Sequence, residues 1–90
     1  MITIEKKYCV AITVEVWQGE QTIARHYYDT EEQAQAVYER VNAIYAHKGY
    51  ACADEGNVGT PYGDGMCCLW EKDERECYNI EIYPEVCQTL

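Results

Sequence analysis

Apolar and polar residues alternate along the first part of the chain, which is the period of a β-strand. Between residues 8 and 17, one set of alternate positions is apolar, and we expect it to face the core. Its members are Tyr8, Val10, Ile12, Val14 and Val16. A glycine-containing turn follows at residues 18–20, and residues 22–28 return to a β-rich composition. The pattern predicts a β-hairpin over residues 8–28.

A helical pattern begins directly after this hairpin. Thr30 and Gln33 have the spacing of a capping box, in which each side chain accepts a hydrogen bond from the backbone N–H of the other residue. Apolar residues then recur three and four positions apart, and we expect this stripe to pack on the sheet. The stripe consists of Ala34, Val37, Tyr38, Val41, Ile44 and Tyr45. Gly49 can adopt the left-handed conformation that ends a helix. The sequence therefore predicts a helix over residues 31–48.

The second half of the chain is divided by a segment rich in glycine. Residues 55–65 contain four glycines and a proline, which predicts a loop, preceded at most by a short strand near Tyr50. Alternation returns on both sides of a charged turn and predicts a second hairpin over residues 66–83. Pro84 is expected to end the last strand, because proline has no backbone N–H for the ladder.

These elements predict one domain over residues 1–90, since ninety residues are too few to bury two cores. The fold class is α+β with the order ββαββ: an antiparallel sheet of four to five strands with one helix packed on one face. The other face of such a sheet is partly solvated. We expect it to display Trp17, Tyr28 and Tyr83.

The charge of the chain is strongly negative. Sixteen acidic residues against seven basic ones give a net charge of −9, which argues against direct binding to nucleic acid, because phosphates are bound by clustered lysine and arginine. Residues 50–90 hold nine of the acidic residues and two of the basic ones. The second hairpin and the residues that follow it contribute the densest group, which consists of Glu71, Asp73, Glu74, Glu76, Glu81 and Glu85.

Catalytic motifs are missing from the sequence. The chain has no serine, so a serine nucleophile is excluded. His26 and His47 are expected to have structural roles. The glycine-rich segment is not followed by the lysine of a phosphate-binding loop, and Gly65 stands where a calcium-binding EF-hand loop needs a glutamate. We therefore expect the protein not to be an enzyme.

The six cysteines are expected to be reduced thiols, because no export signal is recognisable and the cytoplasm keeps thiols reduced. No apolar run reaches the length of a membrane span. Zinc ligands usually occur in pairs two to four residues apart, whereas Cys67 and Cys68 are adjacent and Cys77 and Cys87 stand alone, so we expect neither a metal nor another cofactor. If oxidation occurred, Cys67 or Cys68 would be expected to pair with Cys77. A redox or metal protein stays open as an alternative, since six thiols in ninety residues are many.

Charge and aromatic composition indicate a binding protein. Nine tyrosines, two tryptophans and no phenylalanine suit a contact surface, where tyrosine is enriched. The candidate partner-binding residues are Glu71, Asp73, Glu74, Glu76, Glu81, Glu85, Tyr83, Trp17 and Tyr28.

In size, acidity and lack of catalytic groups, the chain resembles the small acidic proteins of phages and mobile elements that block host defence nucleases, including anti-CRISPR proteins. The resemblance implies a nucleic-acid mimic in the cytoplasm of a bacterial host, which inhibits by occupying a basic, nucleic-acid-binding protein such as a nuclease or effector complex. The alternative is a structural or regulatory domain that forms a homodimer through strand edges or its aromatic face.

Overall fold

Five antiparallel strands in one sheet, with one helix on one face, make up the described part of the chain. The computed structural model describes residues 3–16, 19–72 and 76–89. The elements are β1 (Thr3–Val16), β2 (Gly19–Tyr28), α1 (Glu31–His47), β3 (Ala51–Thr60), β4 (Gly63–Lys72) and β5 (Glu76–Thr89). Their order in the sheet is β2-β1-β5-β4-β3. The predicted α+β class and the single helix are confirmed, and the hairpins predicted over residues 8–28 and 66–83 correspond to the pairs β1–β2 and β4–β5. The order is ββαβββ and differs from the predicted ββαββ.

The additional strand comes from the glycine-rich segment, which is a β-hairpin, so the prediction of a loop over residues 55–65 was wrong. β3 and β4 pair from Ala51 opposite Glu71 to Thr60 opposite Gly63, which leaves only residues 61 and 62 as the turn. Gly63 has a φ of 140°, a backbone conformation that favours glycine.

Gly65 shows why another of these glycines lies inside a strand. A Cβ atom at this position would stand 2.8 Å from the Cβ of Tyr83 and nearer still to the carbonyl oxygen of Ile82. Glycine therefore permits β4 to lie directly against β5. Glycine in a strand can mark such a close backbone approach as well as a turn, and composition alone does not separate the two.

β5 continues past Pro84 to Thr89, so the expectation that this proline ends the strand was also wrong. Pairing between β4 and β5 extends only to Met66 opposite Ile82, and beyond that point β5 pairs with β1 alone. The carbonyl of Pro84 faces β3 and accepts a hydrogen bond from the Thr60 hydroxyl at 3.4 Å. The N–H and C=O of one strand residue point to the same side, so the missing donor lies on the side where no ladder bond is required.

The helix starts as its sequence predicts. Gln33 donates its backbone N–H to the Thr30 hydroxyl at 3.2 Å, and the Thr30 N–H is donated to the Gln33 side chain at 3.4 Å, so the capping box is confirmed. No helix among the described residues combines the length and the apolar character that crossing a bilayer requires.

A Schellman motif ends the helix. Gly49 has a φ of 95° and donates its N–H to Ala46, while Tyr50 donates to Tyr45, both at 3.1 Å. The rings of Tyr45 and Tyr50 meet edge to face with centroids 5.2 Å apart, which is the apolar contact that usually accompanies this motif. The predicted role of Gly49 is confirmed.

The core lies between α1 and the sheet. Its buried members are Val10, Ala34, Tyr38, Ile80 and Ile82. The predicted core face of β1 is confirmed for its described members near the helix, since Tyr8 and Ile12 pack against this cluster. The helical stripe is correct except at Ile44, which is 45% exposed because it lies at the margin of the contact.

Candidate binding surface and thiol cluster

The face of the sheet opposite α1, called here the open face, is defined by the residues that point to the same side as Cys9. Residues paired across antiparallel strands share one face. The register therefore places Tyr27, Cys9 and Tyr83 in one row across β2, β1 and β5. Arg25, Ala11, Glu81 and Cys67 form the neighbouring row.

The centre of the open face is buried although α1 lies on the other side of the sheet. Cys9, Ala11 and Thr13 are 0%, 2% and 5% exposed. These small side chains of β1 lie between larger ones on β2 and β5, such as Tyr27 and Tyr83 on either side of Cys9. Burial raises the pKa of the Cys9 thiol and that of the Tyr83 phenol. Both groups therefore stay neutral at pH 7.

Acidic residues are concentrated on the open face. Its described carboxylates are Glu5, Glu15, Glu20, Asp54, Glu71, Glu81 and Glu85. Lys7 and Arg25 are the cations that the described strands place on this face, so the seven carboxylates leave it with a net charge of −5. Lys7 forms ion pairs with Glu5 at 3.1 Å and with Asp29. Its positive charge is therefore already paired with carboxylates of the same chain.

Three of these carboxylates form a row at one end of the open face. Glu71 is opposite Cys77, Cys77 is opposite Glu15, and Glu15 is opposite Glu20. All three carboxylates are exposed. Glu15, Glu20 and Glu71 are called here the acidic row. Its described positions contain no cation.

Glu81 and Glu85 are less available than the acidic row. Glu81 is partly buried and accepts a hydrogen bond from the Thr13 hydroxyl at 3.5 Å, and burial raises the pKa of its carboxyl, with the charge of Glu20 adding to the shift. The Oε2 atom of Glu85 is inaccessible to solvent and has no hydrogen-bond partner among the described residues. Their contribution to an exposed negative surface is therefore smaller than that of the row.

The structure places only some of the candidate partner-binding residues on the open face. Glu71, Glu81, Glu85 and Tyr83 lie on the open face, whereas Asp73, Glu74 and Trp17 lie outside the described residues.

Tyr28 was expected on the open face and is not there. It pairs with Tyr8 on the helix side and packs against the core, so this placement was wrong. The strand pattern of β2 alone does not show which of its two faces meets the helix, and Tyr27 takes the open position.

Glu76 also faces the helix side, away from the other acidic residues. It pairs with Lys72 and accepts a hydrogen bond from the Tyr50 hydroxyl at 2.6 Å. This bond raises the pKa of Tyr50 to about 12. The acidic residues of the second hairpin therefore do not form one surface, because alternate strand residues point to opposite faces.

Glu15, Glu20 and Tyr27 are among the residues of the open face that sequence reasoning missed. The alternation of β1 already groups Glu15 with Cys9, and this signal was available. Placing Glu20 and Tyr27 requires the register of the hairpin, which shifts between Ile12 and Thr13.

A separate cluster of thiols, called here the thiol cluster, lies on the helix side of β3 and β4. The Sγ atoms of Cys52 and Cys68 are 3.2 Å apart, and the Sγ of Cys52 is 3.9 Å from Oε1 of Glu55. The three donor atoms all lie within 4.8 Å of one another. Cys52 and Glu55 are exposed and Cys68 is buried. Burial, with the Cys52 thiol beside it, raises the pKa of Cys68 to about 12.

The cysteines are unbridged in the structure. The thiol that lies beside Cys68 is that of Cys52 and not that of Cys77, which the sequence predicted. β4 and β5 do pair, but Cys68 is opposite Ile80 and Cys77 is opposite Glu71. The register therefore does not place Cys67 or Cys68 beside Cys77, as the predicted disulfide requires. Cys68 meets Cys52, sixteen residues earlier, across the hairpin that the sequence prediction took for a loop.

Comparison of the chain with models of known protein families, with curated proteins and with solved structures finds no match in any of the three.

Proposed function

We propose that this protein is a non-catalytic binding module whose open face covers a basic, nucleic-acid-binding surface of another protein. The observation that carries the proposal is the acidic row, in which Glu15 and Glu20 are exposed on neighbouring strands and Glu71 is exposed in the same row beyond Cys77. The net charge of −9 for the whole chain acts in the same direction.

The geometry of the open face suits such a contact. Neighbouring strands are about 4.8 Å apart, so Glu15 and Glu20 present closely spaced negative charges, and Glu71 adds a third charge two strands away from Glu15, across β5. Charges of this kind steer a basic partner and fix its orientation. Tyr27, which is 43% exposed, and the neighbouring Tyr83 add aromatic surface of the type that contributes strongly to binding at the centre of interfaces.

The class of partner follows from the resemblance to anti-CRISPR proteins. A nuclease effector of a bacterial defence system carries a basic channel for nucleic acid, and a negative sheet face in that channel excludes the nucleic acid without any chemistry. On this proposal the protein acts in the cytoplasm of a bacterial host and needs no cofactor for inhibition.

The test is displacement of labelled duplex DNA from a panel of purified RNA-guided nuclease effectors. The variant Glu15→Gln/Glu20→Gln/Glu71→Gln removes the acidic row. The matched control Glu32→Gln/Glu39→Gln/Asp64→Asn removes three exposed carboxylates elsewhere and has the same net charge. We expect the row variant to displace DNA at least tenfold less well than the wild-type chain, and the control to act like the wild type at 0.15 M salt.

Equal activity of the two variants would show that placement of charge on the open face does not matter. No displacement by the wild-type chain from any effector would exclude this partner class.

A homodimer is the second candidate, and one feature favours it. β3 is an outer strand of the sheet and is exposed along most of its ten residues. Outer strands can pair with another chain. Sedimentation at low and high salt separates the candidates, since a tight dimer that is insensitive to salt favours strand pairing, whereas a monomer favours the charged face.

A further inference from the structure

The thiol cluster has the donor set of a metal site. Cys52, Glu55 and Cys68 offer two sulfur atoms and one carboxylate oxygen within 4.8 Å of one another. Thiolates select thiophilic cations, and zinc in proteins is bound by cysteine, histidine and carboxylate ligands. We propose that Cys52, Glu55 and Cys68 form a three-ligand site for a thiophilic divalent cation such as Zn²⁺, with the fourth coordination position open to solvent.

The sheet brings these ligands together through an irregularity. The register of β3 and β4 shifts between Cys52 and Asp54, so that Cys52 is opposite Trp70 while Glu55 is opposite Cys68. Without the additional residue, strand alternation would place positions 52 and 55 on opposite faces. The bulge therefore returns Glu55 to the side of the sheet that carries both thiols.

The distances are close to those between ligands of one metal ion. Two sulfurs bound to zinc at about 2.3 Å in a tetrahedral arrangement are about 3.8 Å apart, and the observed separation is 3.2 Å. A sulfur and an oxygen on the same ion are about 3.6 Å apart, and Cys52 and Glu55 are separated by 3.9 Å.

Access and charge also suit a cation. Cys52 and Glu55 are exposed and belong to an outer strand, so an ion reaches the site directly from solvent. Glu55 supplies the negative charge at the site, whereas the Asp54 carboxylate lies on the open face and accepts the Glu55 N–H at 2.9 Å. The backbone carbonyl of Asp54 lies 3.7 Å from the Cys52 Sγ, which orients the exposed thiol. The site lies on the opposite side of the sheet from the open face, so it does not depend on the proposed function.

The test is titration of the reduced full-length chain with Cd²⁺, which reports thiolate coordination as an ultraviolet charge-transfer band, and with Zn²⁺ in competition. We expect one equivalent to saturate the band, Zn²⁺ to displace Cd²⁺, and Zn²⁺ to raise the thermal midpoint, because a ligand that binds only the folded chain stabilises it. Cys52→Ser and Cys68→Ser should lose the band, and Glu55→Gln should bind at least tenfold more weakly.

The control is Cys67→Ser, which removes the neighbouring thiol, on the opposite face of β4, and should bind like the wild type. Circular dichroism shows whether each variant is folded. Cys52 is exposed, so Cys52→Ser keeps the test valid if substitution of the buried Cys68 prevents folding. The absence of a saturable band, a band that survives in Cys52→Ser, or equal loss in Cys67→Ser would overturn the site.

Discussion

Gly65 is a residue whose identity is set by a neighbouring strand. A side chain there would overlap β5, with Tyr83 Cα and Cβ both within 2.9 Å of the added carbon. We expect Gly65→Ala to lower the free energy of unfolding by about 1–3 kcal/mol, the usual range for forcing extra volume into a packed site. Urea denaturation measures the loss.

Gly59→Ala is the matched control for this prediction. Gly59 belongs to the same hairpin, and an added Cβ would meet nothing within 4 Å. Alanine also reduces the entropy of the unfolded chain, so this variant should be at least as stable as the wild type. If the two substitutions had the same effect, close approach of β4 and β5 would not be the reason for glycine at position 65.

Glu81 makes stability depend on pH. Burial raises the pKa of its carboxyl above the ordinary value of 4.5, so the folded chain holds this proton more tightly than the unfolded chain. The contribution of Glu81 to stability is complete below pH 4.5 and is lost as the pH rises through the raised pKa. Glu81→Gln should therefore be more stable than the wild type at pH 7, with a difference that shrinks towards pH 4.

Urea midpoints of the wild type and Glu81→Gln at the two pH values measure this effect. Glu39→Gln, on the exposed surface of α1, is the control and should change the midpoint less at pH 7. A Glu81→Gln variant less stable than the wild type at pH 7 would mean that the hydrogen bond with Thr13 and the attraction of Arg25 outweigh the cost of burying the charge.

At the scale of elements, the start of α1 depends on a single hydroxyl. Thr30 accepts the Gln33 N–H, and replacement of such a residue by alanine costs about 1 kcal/mol. We expect Thr30→Ala to lower the free energy of unfolding by this amount. Thr30→Asp keeps an acceptor at the positive end of the helix dipole and should remain close to the wild type. Thermal unfolding followed by circular dichroism compares the two; equal losses would argue against the cap.

The helix was predictable because both of its ends are encoded locally. Thr30 and Gln33 are three residues apart, and Gly49 directly follows the C-cap. The first hairpin was equally visible in the alternation of β1. In contrast, β3 consists largely of exposed residues, among them glycines, and has no alternation of apolar and polar positions. Its pairing with β4 is a tertiary property that local patterns do not contain.

The candidate sites were predictable only in part for the same reason. Acidic composition pointed to a charged surface, but the face of each carboxylate depends on register, as Glu71 and Glu76 show by lying on opposite sides. The thiol cluster depends on the β3–β4 hairpin, which joins Cys52 to Cys68. The nearest sequence signal was the spacing of three between Cys52 and Glu55, which a search for cysteine pairs passes over.

For the whole molecule, the uneven distribution of charge predicts a response to salt. A net charge of −9 destabilises the compact state by repulsion, and salt screens it. We expect the thermal midpoint of the wild-type chain to rise between about 0.02 and 0.2 M NaCl, because the distance over which charges repel one another shortens over this range. The rise should be smaller for Glu15→Gln/Glu20→Gln/Glu71→Gln than for the control triple variant, because the acidic row contains no cation at its described positions. Equal rises would indicate that total charge alone governs the response.

The order of the strands also bears on how the chain reaches its fold. β5 is the last of the described strands to be synthesised, yet it occupies the middle of the sheet, between β1 and β4. The β1–β2 and β3–β4 hairpins are synthesised first. The edges of β1 and β4 that pair with β5 in the final sheet have no partner until residues 76–89 emerge. The β1–β5 ladder therefore waits for the last described strand and joins distant parts of the chain, a kind of pairing associated with slow folding. During that interval the nascent chain exposes edges that a chaperone could protect from aggregation.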